Sequence, residues 1–255
     1  MSRTIVIANQ KGGVGKTTTA INLSTCLADK GYRVLLIDED PQGNASSGLG
    51  IDKTSVEASV YEVLLGDVPA KDAVLETEIP NLFVIPSNMD LAAVEVELVN
   101  VKNRERMLKI AIDEIRDLYD YIIIDSPPSL GLITLNALAA SDEVLVPIQC
   151  EFYALEGLSQ LVKTINLVKK RINPNLKIEG VVLTMYDGRT NLSTQVVQEV
   201  IKFFPDKVHQ VIIPRNVRLG EAPSFGMPIT KYDPKCAGSV SYRKLADEIA
   251  GGTEA

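Results

Sequence analysis

The stretch Gln10-Lys-Gly-Gly-Val-Gly-Lys-Thr-Thr18 stands between an apolar run, Thr4–Ala8, and a helix-like segment, Thr17–Lys30. Strand, glycine-rich loop and helix, in this order, are the context that a phosphate-binding P-loop requires. The glycines let backbone N–H groups turn inward around phosphate oxygens, the lysine before the threonines reaches the β/γ-phosphates, and the next hydroxyl binds Mg²⁺. The predicted nucleotide-binding residues are Gly12, Gly13, Val14, Gly15, Lys16, Thr17 and Thr18.

This loop departs from the usual G-x-x-x-x-G-K pattern at its first position. Gln10 stands where the pattern has a glycine, and an additional lysine, Lys11, follows at the entrance of the loop. A glycine- and lysine-rich turn is the alternative interpretation, but the strand, the spacing and the helix all favour nucleotide binding.

Composition describes an ordinary globular protein of 255 residues, with 45% hydrophobic and 23% charged residues. No apolar run approaches the roughly 20 residues of a membrane-spanning helix, and the first strand begins too early for a signal peptide. The three cysteines are widely spaced without a C-x-x-C pair, which predicts reduced thiols and a cytoplasmic location rather than a zinc site. A lone histidine, His209, is expected to be structural.

Charge is distributed unevenly along the chain, whose net charge is −7. Residues 1–150 carry 12 basic and 22 acidic residues, whereas residues 151–255 carry 14 basic and 11 acidic residues. The second part could therefore present a cationic surface to nucleic acid, although scattered solubilising lysines would give the same count.

Apolar runs alternate with helical patterns along the whole chain, without a linker or repeat, so we expect one domain over residues 1–255. Runs that are apolar on both faces indicate a mostly parallel, doubly wound α/β sheet between helical layers, with ligands at the carboxyl ends of the strands. The predicted strands are Thr4–Ala8, Arg33–Asp38, Leu82–Pro86, Tyr121–Asp125, Glu143–Pro147, Ile178–Met185 and His209–Ile213; the predicted helices are Thr17–Lys30, Arg104–Leu118, Leu130–Ala140, Ala154–Arg171, Asn191–Phe203 and Ser239–Ile249.

Carboxylates follow two of these strands. Asp38 and Asp40 should point to the same side of an extended strand end, with Glu39 opposite, and this pair suits holding the shell of a metal ion and orienting an attacking water. Asp125 ends a hydrophobic strand as a Walker B aspartate does, binding Mg²⁺ through water. The alternative interpretation is that these carboxylates belong to acidic turns without function. The presence of a P-loop in the same chain makes this interpretation the weaker one.

Two further loops carry candidate residues. The loop 213–223, after the last strand, could pack on an adenine ring, and Arg189 precedes a predicted helix. Spacing alone does not exclude a surface loop with incidental arginines at 213–223, and a single loop arginine such as Arg189 is usually a solvated charge.

Five segments together resemble the ParA/Soj family of chromosome- and plasmid-partitioning ATPases, within the deviant-Walker group that also contains MinD. They extend over nearly the whole chain: residues 11–18, 34–44, 121–131, 147–157 and 213–224. The chain starts almost at the first strand, so it is expected to lack the N-terminal helix-turn-helix extension of larger plasmid-type relatives.

The resemblance implies roles for the residues in these segments. Lys11 would be the signature lysine that reaches the phosphates bound by the partner in a homodimer with ATP sandwiched between subunits, much as an arginine finger does. Gly12 would lie where two P-loops approach closely, so a side chain there should block closure of the dimer. Asp40 would position water, and Asp38 would lie on the metal side of the site. An apolar residue is common in the family at Glu39, whose charge is expected near the metal.

It also implies contacts with base and DNA. Pro214 and Asn216 would contact adenine, and Arg189 and Arg218 would bind double-stranded DNA without sequence specificity in the ATP dimer. The implied function is an ATP-dependent dimerisation switch that hydrolyses ATP slowly. A ParB-like centromere-binding protein would stimulate this hydrolysis, and the location would be cytoplasmic and nucleoid-associated, with no membrane partner.

Two other functions of the same fold stay open. A MinD-like membrane-surface switch would need a basic amphipathic C-terminal helix, whereas the tail is short and acidic at its end. A nucleotide-driven reductase or metal-cluster carrier would need cysteines near a dimer axis, whereas Cys26 and Cys150 are expected to be core thiols.

Overall fold

The computed structural model describes residues 2–151 and 156–251, which form one eight-stranded sheet with helices on both faces. The strand order is β3-β4-β2-β5-β1-β6-β7-β8. Strands β3 and β4 pair antiparallel, and every other strand pair in the described residues is parallel. The bounds are β1 Arg3–Ile7, β2 Val34–Asp38, β3 Leu75–Glu76, β4 Leu82–Ile85, β5 Tyr121–Asp125, β6 Glu143–Gln149, β7 Lys177–Tyr186 and β8 Val208–Pro214. The predicted mostly parallel, doubly wound fold class is confirmed.

Alternate residues of each central strand enter two separate cores, one on each face of the sheet. Leu35 and Ile37 of β2 pack on one face, whereas Val34 and Leu36 pack on the other, and all four are fully buried. Burial on both faces explains why these strands read as continuous apolar runs.

Eleven α-helices are found in the described residues. Their bounds are α1 Lys16–Asp29, α2 Asn44–Gly48, α3 Val60–Leu65, α4 Val94–Glu97, α5 Met107–Asp113, α6 Leu132–Ala140, α7 Glu156–Arg171, α8 Asn191–Phe203, α9 Val217–Glu221, α10 Ile229–Tyr232 and α11 Ala237–Gly251. Helices α3 to α8 contribute to one core, and α1, α2, α10 and α11 contribute to the other. None of these helices combines the length and the apolar composition that crossing a bilayer requires.

Strand β1 is the point at which the order of strands reverses. Strands β2 to β5 all lie on one side of β1, and strands β6 to β8 lie on the other side. The connection from β5 to β6 therefore crosses β1. Adjacent crossovers leave in opposite directions there and open a crevice at the carboxyl ends of the strands. The glycine-rich loop 10–15 follows β1 directly and therefore lies in this crevice.

Some local predictions were wrong. The expected helix Arg104–Leu118 is instead a 3₁₀ turn at Arg104–Arg106, helix α5, and a second 3₁₀ turn at Arg116–Leu118. Helix α6 begins two residues later than predicted, at Leu132, and Ala154, the expected start of α7, lies outside the described residues. Strand β3, of two residues, and the short helices α2, α3, α4, α9 and α10, of four to six residues, were not predicted, because such lengths are too short to show a periodic pattern.

Candidate nucleotide site

The loop before α1 has the backbone geometry of a phosphate cradle. Gly13 and Gly15 have φ angles of 73° and 89°, in the left-handed region that favours glycine, and Gly15 is the N-cap of α1. The helix N-terminus and the inward N–H groups attract anions. Lys16 is the first residue of α1, and its Nζ donates a 3.2 Å hydrogen bond to the Lys11 carbonyl oxygen. Burial lowers the pKa of Lys16, while Asp125 and Asp40 oppose that shift.

Two buried polar side chains that sequence reasoning missed support this loop. The Thr184 hydroxyl, at the end of β7, donates a 2.8 Å hydrogen bond to the Val14 carbonyl. The Asn9 amide donates to the Pro147 carbonyl at 2.8 Å and accepts from the Lys11 N–H at 3.0 Å, which sets the start of the loop. Buried carbonyls need such partners, so both side chains stabilise the shape of the loop.

Lys11 differs from Lys16 in its surroundings. Lys11 is half-buried, and its ammonium has no hydrogen bond or ion pair with any residue whose side chain the structure describes. Gly12 beside it is exposed, and a Cβ added there would meet only the Pro128 Cβ, at 4.0 Å. The entrance of the loop is therefore open toward solvent and carries a cation that no described side chain neutralises.

Asp38 and Asp125 lie side by side beneath this loop, because β2 and β5 pair in a register that places their Cα atoms opposite each other. Both side chains are fully buried. The Ser46 N–H and hydroxyl each donate a 2.7 Å hydrogen bond to Asp38 Oδ2. Burial raises the pKa of Asp38 to about 6 against the opposing effect of these bonds. Ser46 was also missed, since an internal serine of a five-residue helix carries no signal in the sequence.

Asp125 has a different environment. Neither of its carboxylate oxygens has a well-formed hydrogen bond within the described residues. Burial and then the neighbouring Asp38 raise its pKa well above the usual value, and the nearby Thr17 hydroxyl opposes this shift. Two adjacent buried carboxylates and a hydroxyl beside a phosphate loop are the hard oxygen donors that Mg²⁺ prefers, and a bound cation would relieve their repulsion. The residues present therefore fit a magnesium ion.

Asp40 lines the cavity above these groups, which has a volume of about 390 Å³ and is also lined by Lys16, Thr17 and Thr18. Its side chain is 9% exposed, and one carboxylate oxygen accepts a 3.0 Å hydrogen bond from the Gln42 N–H. The other oxygen can accept a proton from, or orient, a water in the cavity.

Glu39 lies apart from this group of charges. It is fully buried, and both of its carboxyl oxygens are without a hydrogen-bond partner in the described residues. Burial alone raises its pKa well above the usual value, with no contribution from Asp38 or Asp40. Desolvation favours the neutral acid, so the negative charge that the sequence led us to expect near the metal is not supported.

A second cavity, of about 460 Å³, adjoins the first and shares Gly15, Thr18 and Met185 with it. Pro214 and Asn216, which the resemblance implies contact adenine, both line this cavity. The Asn216 Oδ1 caps α9 by accepting a 2.8 Å hydrogen bond from the Arg218 N–H. Its mainly apolar walls beside a phosphate loop suit a nucleoside.

Two further residues of this second cavity were not predicted. Met185 has a φ of 51°, which is strained for a residue other than glycine, and Tyr242 reaches the cavity from α11 with a 3.1 Å hydrogen bond to Thr19. No local signal marks either residue.

The two candidate DNA-binding arginines follow neighbouring strands, β7 and β8, and both are paired with carboxylates. Arg189 binds Asp187 in a two-pronged ion pair, with distances of 2.8 and 2.6 Å, and its side chain is 86% exposed. Arg218 pairs with Glu221 at 2.8 Å and lies 3.7 Å from Asp233. Arg189, in the loop after β7, and Arg218, in helix α9 after β8, both lie at the carboxyl edge of the sheet, as the nucleotide crevice does.

The strand–loop–helix cradle, the paired aspartates at the ends of β2 and β5, and the adjoining apolar cavity define a P-loop nucleotide-binding protein. A family model described as an AAA domain matches residues 2–178. The sporulation initiation inhibitor protein Soj of Bacillus subtilis is 58% identical over 98% of this chain and 99% of its own. The chromosome partitioning protein ParA of Caulobacter vibrioides is 57% identical over 97% of this chain and 93% of its own. The chain belongs to the ParA/Soj family of chromosome-partitioning ATPases.

Among solved structures, the chain resembles a Mycobacterium smegmatis protein named cobyrinic acid a,c-diamide synthase, solved with bound ADP and magnesium. The two are 39% identical, with a TM-score of 0.89 over 100% of this chain and 96% of the other. The shared fold extends over all of the elements that form the crevice.

Proposed function

We propose that this ATPase is a switch in which ATP and Mg²⁺ close a homodimer, the dimer binds double-stranded DNA without sequence specificity, and a ParB-like protein stimulates slow hydrolysis that releases it. The observation that carries this proposal is the ammonium of Lys11 at an open P-loop entrance, which has no ion pair or hydrogen bond with the described side chains. A cation at a P-loop entrance that the described part of its own subunit does not neutralise could neutralise phosphates across an interface, as an arginine finger does.

Gly12 supports the same geometry. A Cβ at Gly12 would meet nothing closer than 4.0 Å among the described residues, so the first atom of a side chain fits within one subunit. A substitution that leaves the monomer intact and abolishes dimerisation would therefore report on the partner subunit, not on local strain.

The hydrolytic part of the proposal assigns each buried group one task. Thr17, Asp38 and Asp125 would hold Mg²⁺, which supplies charge neutralisation on the phosphates when bound. Lys16 would exchange its bond to the Lys11 carbonyl for phosphate oxygens. Asp40 would orient the attacking water from the wall of the cavity. Pro214 and Asn216 would hold the adenine end.

DNA binding would use Arg189 and Arg218 after their carboxylate partners give way to phosphates. Both ion pairs are exposed and therefore contribute little, so exchange of partners costs little. A dimer doubles the number of arginines on one face, which strengthens a salt-dependent attraction for DNA even in a chain of net charge −7.

A MinD-like membrane switch is less well supported. Helix α11 buries its apolar residues Tyr242, Leu245 and Ile249 in the core against β8 and α1, so this face is not available to a lipid surface. Sedimentation with liposomes in the presence of ATP is the direct check.

The central experiment uses the variants Asp40→Ala and Gly12→Val. With ATP, Asp40→Ala should accumulate as a DNA-bound dimer because closure proceeds while hydrolysis does not, whereas Gly12→Val should bind ATP but remain monomeric and free of DNA. Light scattering and fluorescence anisotropy with labelled DNA, in ATP, ADP and no nucleotide, separate these states. If Asp40→Ala stays monomeric with ATP, the proposed switch is wrong.

A further inference from the structure

One segment exposes apolar side chains where the fold does not require them. After β4 the chain forms a continuous helical run: a 3₁₀ turn at Met89–Ala93, helix α4, and a 3₁₀ turn at Leu98–Asn100. Its inner face, Leu91, Val94 and Leu98, is buried in the core. A single buried face is what a surface helix normally provides.

The opposite face of the same run is apolar as well. Met89, Ala92, Val96 and Val99 recur at helical spacing, and we call these four residues the outer stripe. The exposed fractions of Met89, Val96 and Val99 are 63%, 74% and 54%. Three turns of apolar surface, about 15 Å long, match the length over which one helix packs on another. An exposed apolar stripe of this kind marks an interaction site.

Charge around the outer stripe indicates what occupies it. Residues 72–101 contain six Asp and Glu residues and no Lys, Arg or His, while Arg104, just beyond this range, donates a 2.7 Å hydrogen bond to the Val99 carbonyl at one end of the outer stripe. Asp90, Glu95 and Glu97 directly flank the outer stripe and are exposed. Contact between two copies across a two-fold axis would bring these like charges together, which is unfavourable. A helix with an apolar face and basic flanks is complementary to this surface.

Two contacts connect the outer stripe with the nucleotide site. The Gln42 side-chain amide, in the loop after Asp40, lies 3.8 Å from the Met89 sulfur. Glu95 Oε1 accepts a 2.9 Å hydrogen bond from the N–H of Leu132, the first residue of α6. A Cβ at Gly131 would overlap the Glu95 carboxylate, so the loop after Asp125 passes this side chain closely.

We propose that the outer stripe is the docking site for a basic amphipathic helix of the protein that stimulates hydrolysis. This inference rests on the proposed function, because it assigns the activating partner a surface. The docked helix would contact the run from Met89 to Asn100, which in turn contacts the loops after Asp40 and Asp125. Binding there would favour one arrangement of these two loops, and with it the positions of Asp40 and Asp125.

The experiment compares Val96→Glu/Val99→Glu with wild type and with Leu118→Glu. Leu118 matches Val99 in exposure, at 57% against 54%. It precedes β5 and therefore lies at the amino ends of the strands, away from the outer stripe. The purified ParB-like protein is titrated against each ATP-bound protein by biolayer interferometry, and ATP hydrolysis is measured separately. We expect the double variant to lose at least about tenfold in affinity and most of the stimulation, while keeping basal hydrolysis and DNA binding, and Leu118→Glu to behave as wild type.

The outcomes separate this inference from the proposed function. Unchanged binding and stimulation of the double variant would overturn the docking site and leave the switch intact. Binding that needs the outer stripe but stimulates nothing would support the site and contradict the switch, and no binding by wild type would contradict both. Wild-type affinity that stays constant between about 0.05 and 0.3 M salt would contradict the basic character of the docked helix.

Discussion

Replacing Glu39 by methionine should make this protein more stable. Glu39 is fully buried, and neither carboxyl oxygen has a hydrogen-bond partner in the described residues. Natural side chains that are buried in this way normally find partners, so the carboxyl carries a desolvation cost without compensation. Methionine has a similar length and no demand for hydrogen bonds, so the substitution creates neither a large cavity nor a new polar group.

The expected gain in the free energy of unfolding follows from the complete burial of the Glu39 carboxyl. An unsatisfied polar group in a core costs about 1–3 kcal/mol, and we expect the free energy of unfolding to rise by about that amount. For a chain of this size about 2–4 °C in melting temperature corresponds to 1 kcal/mol, so the midpoint should rise by about 2–12 °C. Because burial raises the pKa of Glu39 in the folded state, the contribution of Glu39 to the free energy of unfolding falls as pH rises above its usual pKa of 4.5, and the advantage of methionine should grow in that direction.

The difference in free energy of unfolding between Glu39→Met and wild type is measured by urea unfolding without nucleotide, at pH values from about 5 to about 8 in steps of about one unit. Glu39→Gln should stabilise less than Glu39→Met, because the amide keeps unmet hydrogen bonds, but its advantage over wild type should also grow with pH, because an amide does not titrate. Glu78→Met, at an exposed position, is the matched control and should change stability by less than about 0.5 kcal/mol. An unchanged or lower free energy of unfolding for Glu39→Met would refute the reasoning and show that the carboxyl has a stabilising partner.

Three other changes test the contacts that support the site and its surroundings. Thr184→Val removes the bond to the Val14 carbonyl and should weaken ATP binding by about 1–3 kcal/mol in calorimetry with nearly unchanged secondary structure; equal affinity would remove Thr184 from the site. Burial lowers the pKa of His209, but the two carboxylates on either side of it, Glu179 and Glu248, raise it by more, so its stabilising contribution is complete below about pH 6.5 and is lost as pH rises through the folded-state pKa. His209→Gln should therefore abolish this part of the pH dependence of the free energy of unfolding in urea. An unchanged pH dependence in the variant would contradict this. Asp187→Ala frees Arg189 and should strengthen salt-dependent DNA binding measured by anisotropy, whereas weaker binding would mean that Asp187 holds the arginine in its binding position.

The sequence by itself determined the features that depend on neighbouring residues. Local sequence patterns predicted the P-loop, the apolar strands that end in Asp38 and Asp125, and the long helices α1 and α8. Each of these patterns is complete within about 5 to 15 residues, which is the length of a single element. The resemblance to the ParA/Soj family rested on the same short motifs, and the relatives confirm it. Helix α5 was predicted too long, because its apolar pattern continues through two 3₁₀ turns.

The tertiary structure decided which distant side chains complete the site. Thr184 bonds the P-loop across 170 positions of sequence, and Tyr242 bonds Thr19 across 223. Strand register placed Asp38 beside Asp125, and it left the buried Glu39 carboxyl without a hydrogen-bond partner among the described residues. A motif specifies the backbone of its own loop, but the environment of a buried side chain depends on which strands become neighbours. That pairing minimises exposed apolar area over the whole sheet, so no local stretch of sequence contains it.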